Sequence, residues 1–186
     1  MIIAPQLDAL RQLDGPLIYL AGPIQGADDW QTEAIVMLGD LAPDVHVASQ
    51  RGANFKGGMD KQLIWERACI DRAARDGVIL FWCARETNHR CNRTYAAQMR
   101  FELGEWMVKA TLGLARVVVG IEKGFTGGPY LQRRFLLDFP SVPVCRALRQ
   151  TCAAAVEKLS NGGPQLVYPR RLEDMFVPHS FGKNNG

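Results

Sequence analysis

The stretch LIYLAGPIQGADDWQTEAI, residues 17–35, joins an apolar run to a segment of helical character through a glycine-rich turn. The run 17–21 carries no charged residue, which is typical of a strand that is covered on both faces. Asp28 and Asp29 follow the turn, and either side chain suits the N-cap of a helix. The stretch therefore predicts a strand, a turn and a helix, the repeating unit of an α/β fold.

Five apolar runs in the chain share this character, being rich in Val, Ile and aromatic residues and bounded by Gly, Pro or Asp. They occupy 17–21, 45–48, 78–82, 117–121 and 142–145. The segments between them are long enough for helices, which we predict over 30–41, 61–74, 95–112 and 147–159. This alternation predicts an α/β fold with a five-stranded, mainly parallel sheet and helices on both faces.

The amino-acid composition is that of a globular protein. Of 186 residues, 47% are hydrophobic and 22% are charged, as in ordinary globular domains. We expect one domain over 1–160 and an irregular C-terminal arm over 161–186, which contains GKNNG. No apolar run approaches the roughly 20 residues that span a bilayer, and the N-terminus lacks a secretory pattern, so we expect a cytoplasmic protein with no membrane contact.

The net charge and the arrangement of the cysteines limit the ligands that the sequence predicts. The net charge of +3 is far below that of a duplex-binding module, so no duplex nucleic acid is expected. Five scattered cysteines without a C-x-x-C pair indicate neither a disulfide framework nor a zinc ribbon. Cys83, His89 and Cys91 lack a fourth ligand, so we expect no metal site. The first turn has neither the G-x-G-x-x-G nor the G-K-[ST] pattern, and no cofactor is predicted.

Three loops are candidates for a ligand site, because ligands of open parallel sheets bind at the carboxyl ends of strands. They are 22–29, 83–93 and 122–130. Gly22 and Gly26 would let backbone approach a ligand, although such a turn also occurs without one. Four arginines within sixteen residues would form one anion-binding patch or a solvated basic loop. They are Arg85, Arg90, Arg93 and Arg100.

Glu102 stands out on the helix that follows the third run. At about 100° per residue it lies about 20° from Tyr95 and about 40° from Trp106, at the edge of an aromatic arc that faces the sheet. Partial burial there would raise the pKa of the carboxyl group and leave a poorly hydrated nucleophile, whereas a solvated edge position is the alternative. Glu105 lies further toward the polar side and is expected to pair with Lys109.

Three more acids precede the third run: Glu66, Asp71 and Asp76. One of them, placed beside Glu102, would act as a general acid, because paired carboxyl groups are driven to different pKa values. Asp76 also suits a purely structural turn into the strand. Tyr19 lies inside the first run, where its hydroxyl needs a partner; it either packs structurally or hydrogen-bonds a catalytic carboxylate.

Together these segments resemble the nucleoside 2-deoxyribosyltransferase-like proteins over residues 17–159. The resemblance is carried by IYLAGPIQGADDWQTEAI, IWERACIDRAARDGVILFW, RTYAAQMRFELGEWM and RVVVGIEKGFTGGPYL, in that order. Y-L-A-G-P in the first run and E-x-G-x-W on the helix after the third are its most specific parts.

The resemblance implies a flavodoxin-like three-layer sandwich with strand order 2-1-3-4-5 and cleavage of an N-glycosidic bond of a small-molecule nucleoside or nucleotide. Glu102 matches the residue that attacks C1′ of the sugar, and the (deoxy)ribosyl group then passes to another base or to water. Tyr19 would orient Glu102. The predicted substrate-binding residues are Gly22, Pro23, Trp30, Glu66 and Arg93. A homo-oligomer is also implied.

The chain departs from the family where a D-x-G-T run often precedes the nucleophile's helix, because NHRCNRTYAAQM contains no acid. We therefore assign protonation of the leaving base to Asp76 or Asp71, followed by Glu66. The arginine-bearing loop suits a 5′-phosphate, which makes a nucleoside 5′-monophosphate N-glycosidase an alternative. A non-catalytic nucleotide-sensing module of the same fold is another.

Overall fold

A computed structural model describes residues 10–51, 58–89 and 92–161 of the chain. The strands are β1 Leu17–Ala21, β2 His46–Ser49, β3 Val78–Cys83, β4 Val117–Ile121 and β5 Val144–Cys145. The helices that lie wholly within these ranges are α1 Trp30–Leu41, α2 Gly58–Asp76, α3 Ala97–Thr111, α4 Gly128–Asp138 and α5 Leu148–Ser160. As predicted, an aspartate caps α1: the Asp29 carboxylate accepts a hydrogen bond from the Thr32 amide at 3.1 Å.

All neighbouring strands pair in parallel, in the order β2-β1-β3-β4-β5. Side chains of α2, α3 and α4 join a hydrophobic cluster on one face of the sheet, and those of α1 and α5 join a second cluster on the other. The fold is therefore the predicted flavodoxin-like three-layer sandwich. Alternation along β1 sends Tyr19 to the face that α2 and α3 cover.

Helix α4 was not predicted from the sequence, where its first residues look like part of a glycine-rich loop. Its N-cap is Gly127, in a left-handed conformation with φ 79°, and Pro129 lies in its first turn. Only Gly128 and Phe135 are buried in it, so its apolar periodicity is weak. Helix α3 begins two residues later than predicted, because Ala96 adopts a left-handed φ of 55°.

None of the helices in the described part of the chain is long and apolar enough to cross a bilayer. The four described cysteines are free thiols: Cys69, Cys83, Cys145 and Cys152. The predicted C-terminal arm lies outside the described residues apart from Asn161, as do Arg90 and Cys91.

Candidate active site

Two clefts meet at Glu102. The loop cleft, about 290 Å³, lies at the carboxyl ends of the strands and is lined by Gly22, Pro23, Gln50, Gln62, Arg93, Gln98 and Glu102, among others. The helix cleft, about 330 Å³, lies between α2 and α3 and is lined by Tyr19, Glu66, Arg67, Gln98, Phe101, Glu102 and Trp106, among others. Glu102 and Gln98 line both, so a ligand in either cleft reaches the same carboxylate.

The Glu102 carboxyl group is half-buried on α3. Burial raises its pKa, a hydrogen bond from Gln98 opposes that rise, and the nearby negative charge of Glu66 adds to it. The Gln98 Nε2 donor lies 3.1 Å from Glu102 Oε1. Of the two positions that the helical spacing leaves open, partial burial and a solvated edge, the structure shows partial burial.

Glu66 is the second carboxyl group of the site, and only 5% of it is exposed. Its Oε1 accepts a hydrogen bond from Gln62 Nε2 at 2.6 Å, and its Oε2 lies 3.4 Å from Gln98 Nε2. Burial raises its pKa above the usual value, against the effect of the two amides. Glu66 and Glu102 are thus joined through the amide of Gln98.

Tyr19 lies beneath this pair, in β1, with 1% of its surface exposed. Its hydroxyl accepts a hydrogen bond from Gln50 Nε2 at 2.9 Å, rather than pairing directly with Glu102. Burial, followed by the charges of Glu102 and Glu66, raises its pKa well above the usual value. Because Gln50 occupies only an acceptor position, the neutral hydroxyl retains its proton for donation toward the carboxylates.

The other two predicted acids lie away from Glu102. Asp76 is the last residue of α2, ten residues after Glu66 and hence about 15 Å along the helix axis. It pairs with Arg72 at 3.0 Å, at the edge of the sheet where β3 begins. Asp71 pairs with Arg67 at 3.3 Å and lines neither cleft. Of the three candidates, the structure brings Glu66 to Glu102 and leaves Asp71 and Asp76 outside.

Glu105 forms the ion pair predicted for it. Its Oε1 lies 2.6 Å from Lys109 Nζ and 3.0 Å from Arg67 Nη1. Burial alone would raise its pKa, but the two cations lower it. Glu105 is therefore a charged, paired neighbour of the site.

The first loop supplies Gly22 and Pro23 to the loop cleft, whereas Trp30 supports the loop from behind. Trp30 is 4% exposed, does not line either cleft and donates from Nε1 to the Pro23 carbonyl at 2.9 Å. A Cβ atom on Gly22 would lie 2.5 Å from the Trp82 carbonyl and 2.6 Å from the Trp30 ring. Packing against these tryptophans therefore requires glycine here, and Trp30 positions the loop instead of contacting the cleft.

The three described members of the arginine cluster have different partners. Arg85 pairs with Glu122 at 3.4 Å, and Arg100 donates to the Thr126 carbonyl at 2.6 Å. Arg93 lines the loop cleft, and its Nη1 donates to Gln25. Its Nε and Nη2 are buried and have no hydrogen-bond partner among the described residues. Among the described members of the cluster, Arg93 is thus the one that is placed to meet an anion in this cleft.

Sequence reasoning missed three glutamines of the site: Gln50, Gln62 and Gln98. Gln98 precedes Glu102 by four residues and Gln62 precedes Glu66 by four, so helical spacing alone would have paired them. Gln50 directly follows β2, at the edge of the sheet where ligands bind.

The chain matches no protein-family model, and it matches none of the curated protein sequences with which it was compared. The family resemblance therefore remains a prediction from the residues, and the site is interpreted on its own chemistry. The described residues contain no cluster of three or more side chains able to hold a metal ion.

Proposed function

We propose that the protein cleaves the N-glycosidic bond of a nucleoside or nucleotide, with Glu102 as the nucleophile. The observation that carries this proposal is the half-buried Glu102 carboxyl group, set at the junction of two clefts beside the more deeply buried Glu66. Two carboxyl groups in unlike environments are suited to the roles of nucleophile and acid.

In the first step a Glu102 oxygen bonds to C1′ as the bond from C1′ to the base nitrogen breaks. The electron pair of that bond leaves with the base, which takes a proton from Glu66. In the second step another base or water attacks C1′ and gives its proton to the Glu66 carboxylate. The bond from C1′ to Glu102 breaks with its electron pair returning to the Glu102 carboxylate. The transition states carry positive charge on the sugar, which the Glu102 carboxylate stabilises at close range.

The surrounding residues fit this chemistry. Burial raises the pKa of Glu66, which favours the protonated form that a general acid needs. Tyr19 would orient the Glu102 carboxylate from below, and Gly22 and Pro23 would support the sugar. The volumes of the clefts are close to the lower end of the range for small-molecule sites, about 300–1,000 Å³.

A nucleoside 5′-monophosphate N-glycosidase is the second candidate, and Arg93 favours it. Two of its guanidinium nitrogens are buried without a partner among the described residues, and the side chain lines the loop cleft that leads to Glu102. A buried donor without a partner is costly, and a phosphate would satisfy both nitrogens in a bidentate contact.

We propose that the protein acts as a homo-oligomer through α3. Phe101, Val108 and Leu112 are 76%, 58% and 67% exposed, and Gly104 between them has open space above its backbone. Large exposed apolar patches mark interaction sites. Phe101 also lines the helix cleft, so a second copy on this face would form part of the wall of the cleft. Such an enzyme would act on the nucleotide pool of the cytoplasm.

The test is chromatographic detection of free base after incubation of the purified protein with nucleosides and their 5′-monophosphates. Each reaction is run with and without a second base. Release without a second base indicates hydrolysis, and exchange that needs the second base indicates transfer. Absence of release from every substrate, with binding retained, would overturn the enzyme proposal in favour of a sensing module.

A further inference from the structure

Each of the two carboxyl groups of the site accepts a hydrogen bond from a glutamine one turn earlier on the same helix. Gln62 and Glu66 are separated by one turn of α2, and Gln98 and Glu102 by one turn of α3. In each pair the glutamine amide donates to the glutamate, at 2.6 Å in α2 and 3.1 Å in α3. The Gln98 amide also lies 3.4 Å from Glu66 Oε2.

The bonds to Glu66 are unequal. Its Oε1 receives a short bond from Gln62, whereas its Oε2 has only the long contact with Gln98. If Glu66 carries a proton, the proton resides on Oε2, because the short bond from Gln62 occupies Oε1. The two amide donors favour the ionised form of Glu66, but only 5% of Glu66 is exposed, and burial, the larger effect, favours the neutral form.

The charges around the pair favour a single proton shared between the two groups. Arg67, the cation that lines the helix cleft, is bonded to Asp71 and Glu105. Two adjacent carboxyl groups without a bonded cation do not both ionise readily. Among the described residues, the titratable or charged groups that face them are Tyr19 from β1, Arg67 and Cys69 from α2, Glu105 from α3, and Arg93 from the loop before α3. Arg93 lines the loop cleft with Glu102 and donates to Gln25.

We propose that Gln62 and Gln98 are positioning residues that fix where this proton resides: Gln98 holds Glu102 ionised, and Gln62, by occupying Oε1 of the buried Glu66, directs the proton of Glu66 to Oε2. This assignment rests on the proposed function, since it prepares an ionised nucleophile and a neutral acid before substrate arrives. Neither glutamine needs to touch the reacting atoms.

The test is a carbon NMR titration of the full-length protein labelled at the glutamate side-chain carboxyl carbons. The Glu66 and Glu102 signals are assigned by their loss in Glu66→Gln and Glu102→Gln. In the wild-type protein, Glu102 is expected to ionise at lower pH than Glu66. The reverse order would overturn the proposal without any variant at the glutamines.

Gln98→Met and Gln62→Met form the matched pair of variants, because methionine keeps the length of the side chain and removes the donor. In Gln98→Met the Glu102 titration should move to higher pH, and in Gln62→Met it should stay close to the wild-type position. An unmoved Glu102 in Gln98→Met, or an equal shift in both variants, would contradict the assignment. The titrations need no turnover, so their outcome is independent of base release, which tests the proposed function.

Discussion

Glu66 and Glu102 lie on different helices, yet both carboxyl groups contact one amide nitrogen, that of Gln98, at 3.4 and 3.1 Å. On the same face of the sheet, α2 packs against β1 and β3 and α3 packs against β4. Tyr19 of β1 lines the cleft between the two helices. A general acid and a nucleophile need this proximity, because one group must protonate the base while the other attacks the sugar.

Glu66→Gln should separate the role of acid from that of nucleophile. Release of a purine or pyrimidine should fall by about 10²–10⁴-fold, the usual contribution of a general acid. A riboside with a 4-nitrophenolate leaving group should be affected far less, because that group leaves without a proton. Steady-state rates on both substrates measure this difference. Asp76→Asn is the control and should retain full activity; equal losses on the two substrates in Glu66→Gln would contradict the role.

Arg93→Met tests recognition of a 5′-phosphate. A charged hydrogen bond contributes about 1.5–3 kcal/mol, so KM for a nucleoside monophosphate should rise by about 10–100-fold while KM for the nucleoside stays unchanged. Arg85→Met is the matched control, since Arg85 pairs with Glu122. A similar change for both substrates in Arg93→Met would show that Arg93 does not bind the phosphate.

The pKa shifts on α3 predict opposite effects on stability. The folded-state pKa of Glu102 lies above its ordinary 4.5, so the carboxyl group favours folding when protonated, and this contribution is lost as pH rises from 4.5 through the folded value. Glu102→Gln should therefore raise Tm near neutral pH, by about 2–4 °C for each kcal/mol regained, and should match the wild type in acid.

Glu105 supplies the opposite case, because its folded pKa lies below 4.5 and its stabilising contribution is lost as pH falls. Glu105→Gln should lower Tm near neutral pH. Thermal melts of both variants across the pH range measure the two signs. A lower neutral-pH Tm for Glu102→Gln would contradict the burial of its charge.

Phe101→Asp tests the proposed assembly through α3. The wild-type protein should elute as an oligomer in size-exclusion chromatography with light scattering, and a charge in the apolar stripe should shift it to the monomer. Leu137→Asp is the control, since Leu137 is 62% exposed on α4. A monomeric wild-type protein, or an oligomer unaffected by Phe101→Asp, would count against this interface.

The buried strands and the position of Glu102 were predictable because both follow from local periodicity: continuous apolar runs in one case and helical spacing in the other. The sequence analysis ranked Asp76 and Asp71 ahead of Glu66, whereas Glu66 is the acid that lies beside Glu102 in the structure. The chain direction already indicated that Asp76 lies away from the ligand loops. A residue just before a parallel strand, such as Asp76, lies at the amino edge, opposite the ligand loops. The partners of Arg85 and Arg100 come from the loop after β4, and such long-range pairing leaves no local pattern.

The most direct measurement is the rate of base release by Glu102→Gln compared with the wild-type protein and with Glu105→Gln. Each variant removes one carboxylate that lines the helix cleft, that of Glu102 in the first and that of Glu105 in the second. Removal of a nucleophile should lower the rate by about 10⁴–10⁶-fold, whereas Glu105→Gln should retain activity. Base release that persists at the wild-type rate in Glu102→Gln would contradict the assignment of Glu102 as the nucleophile.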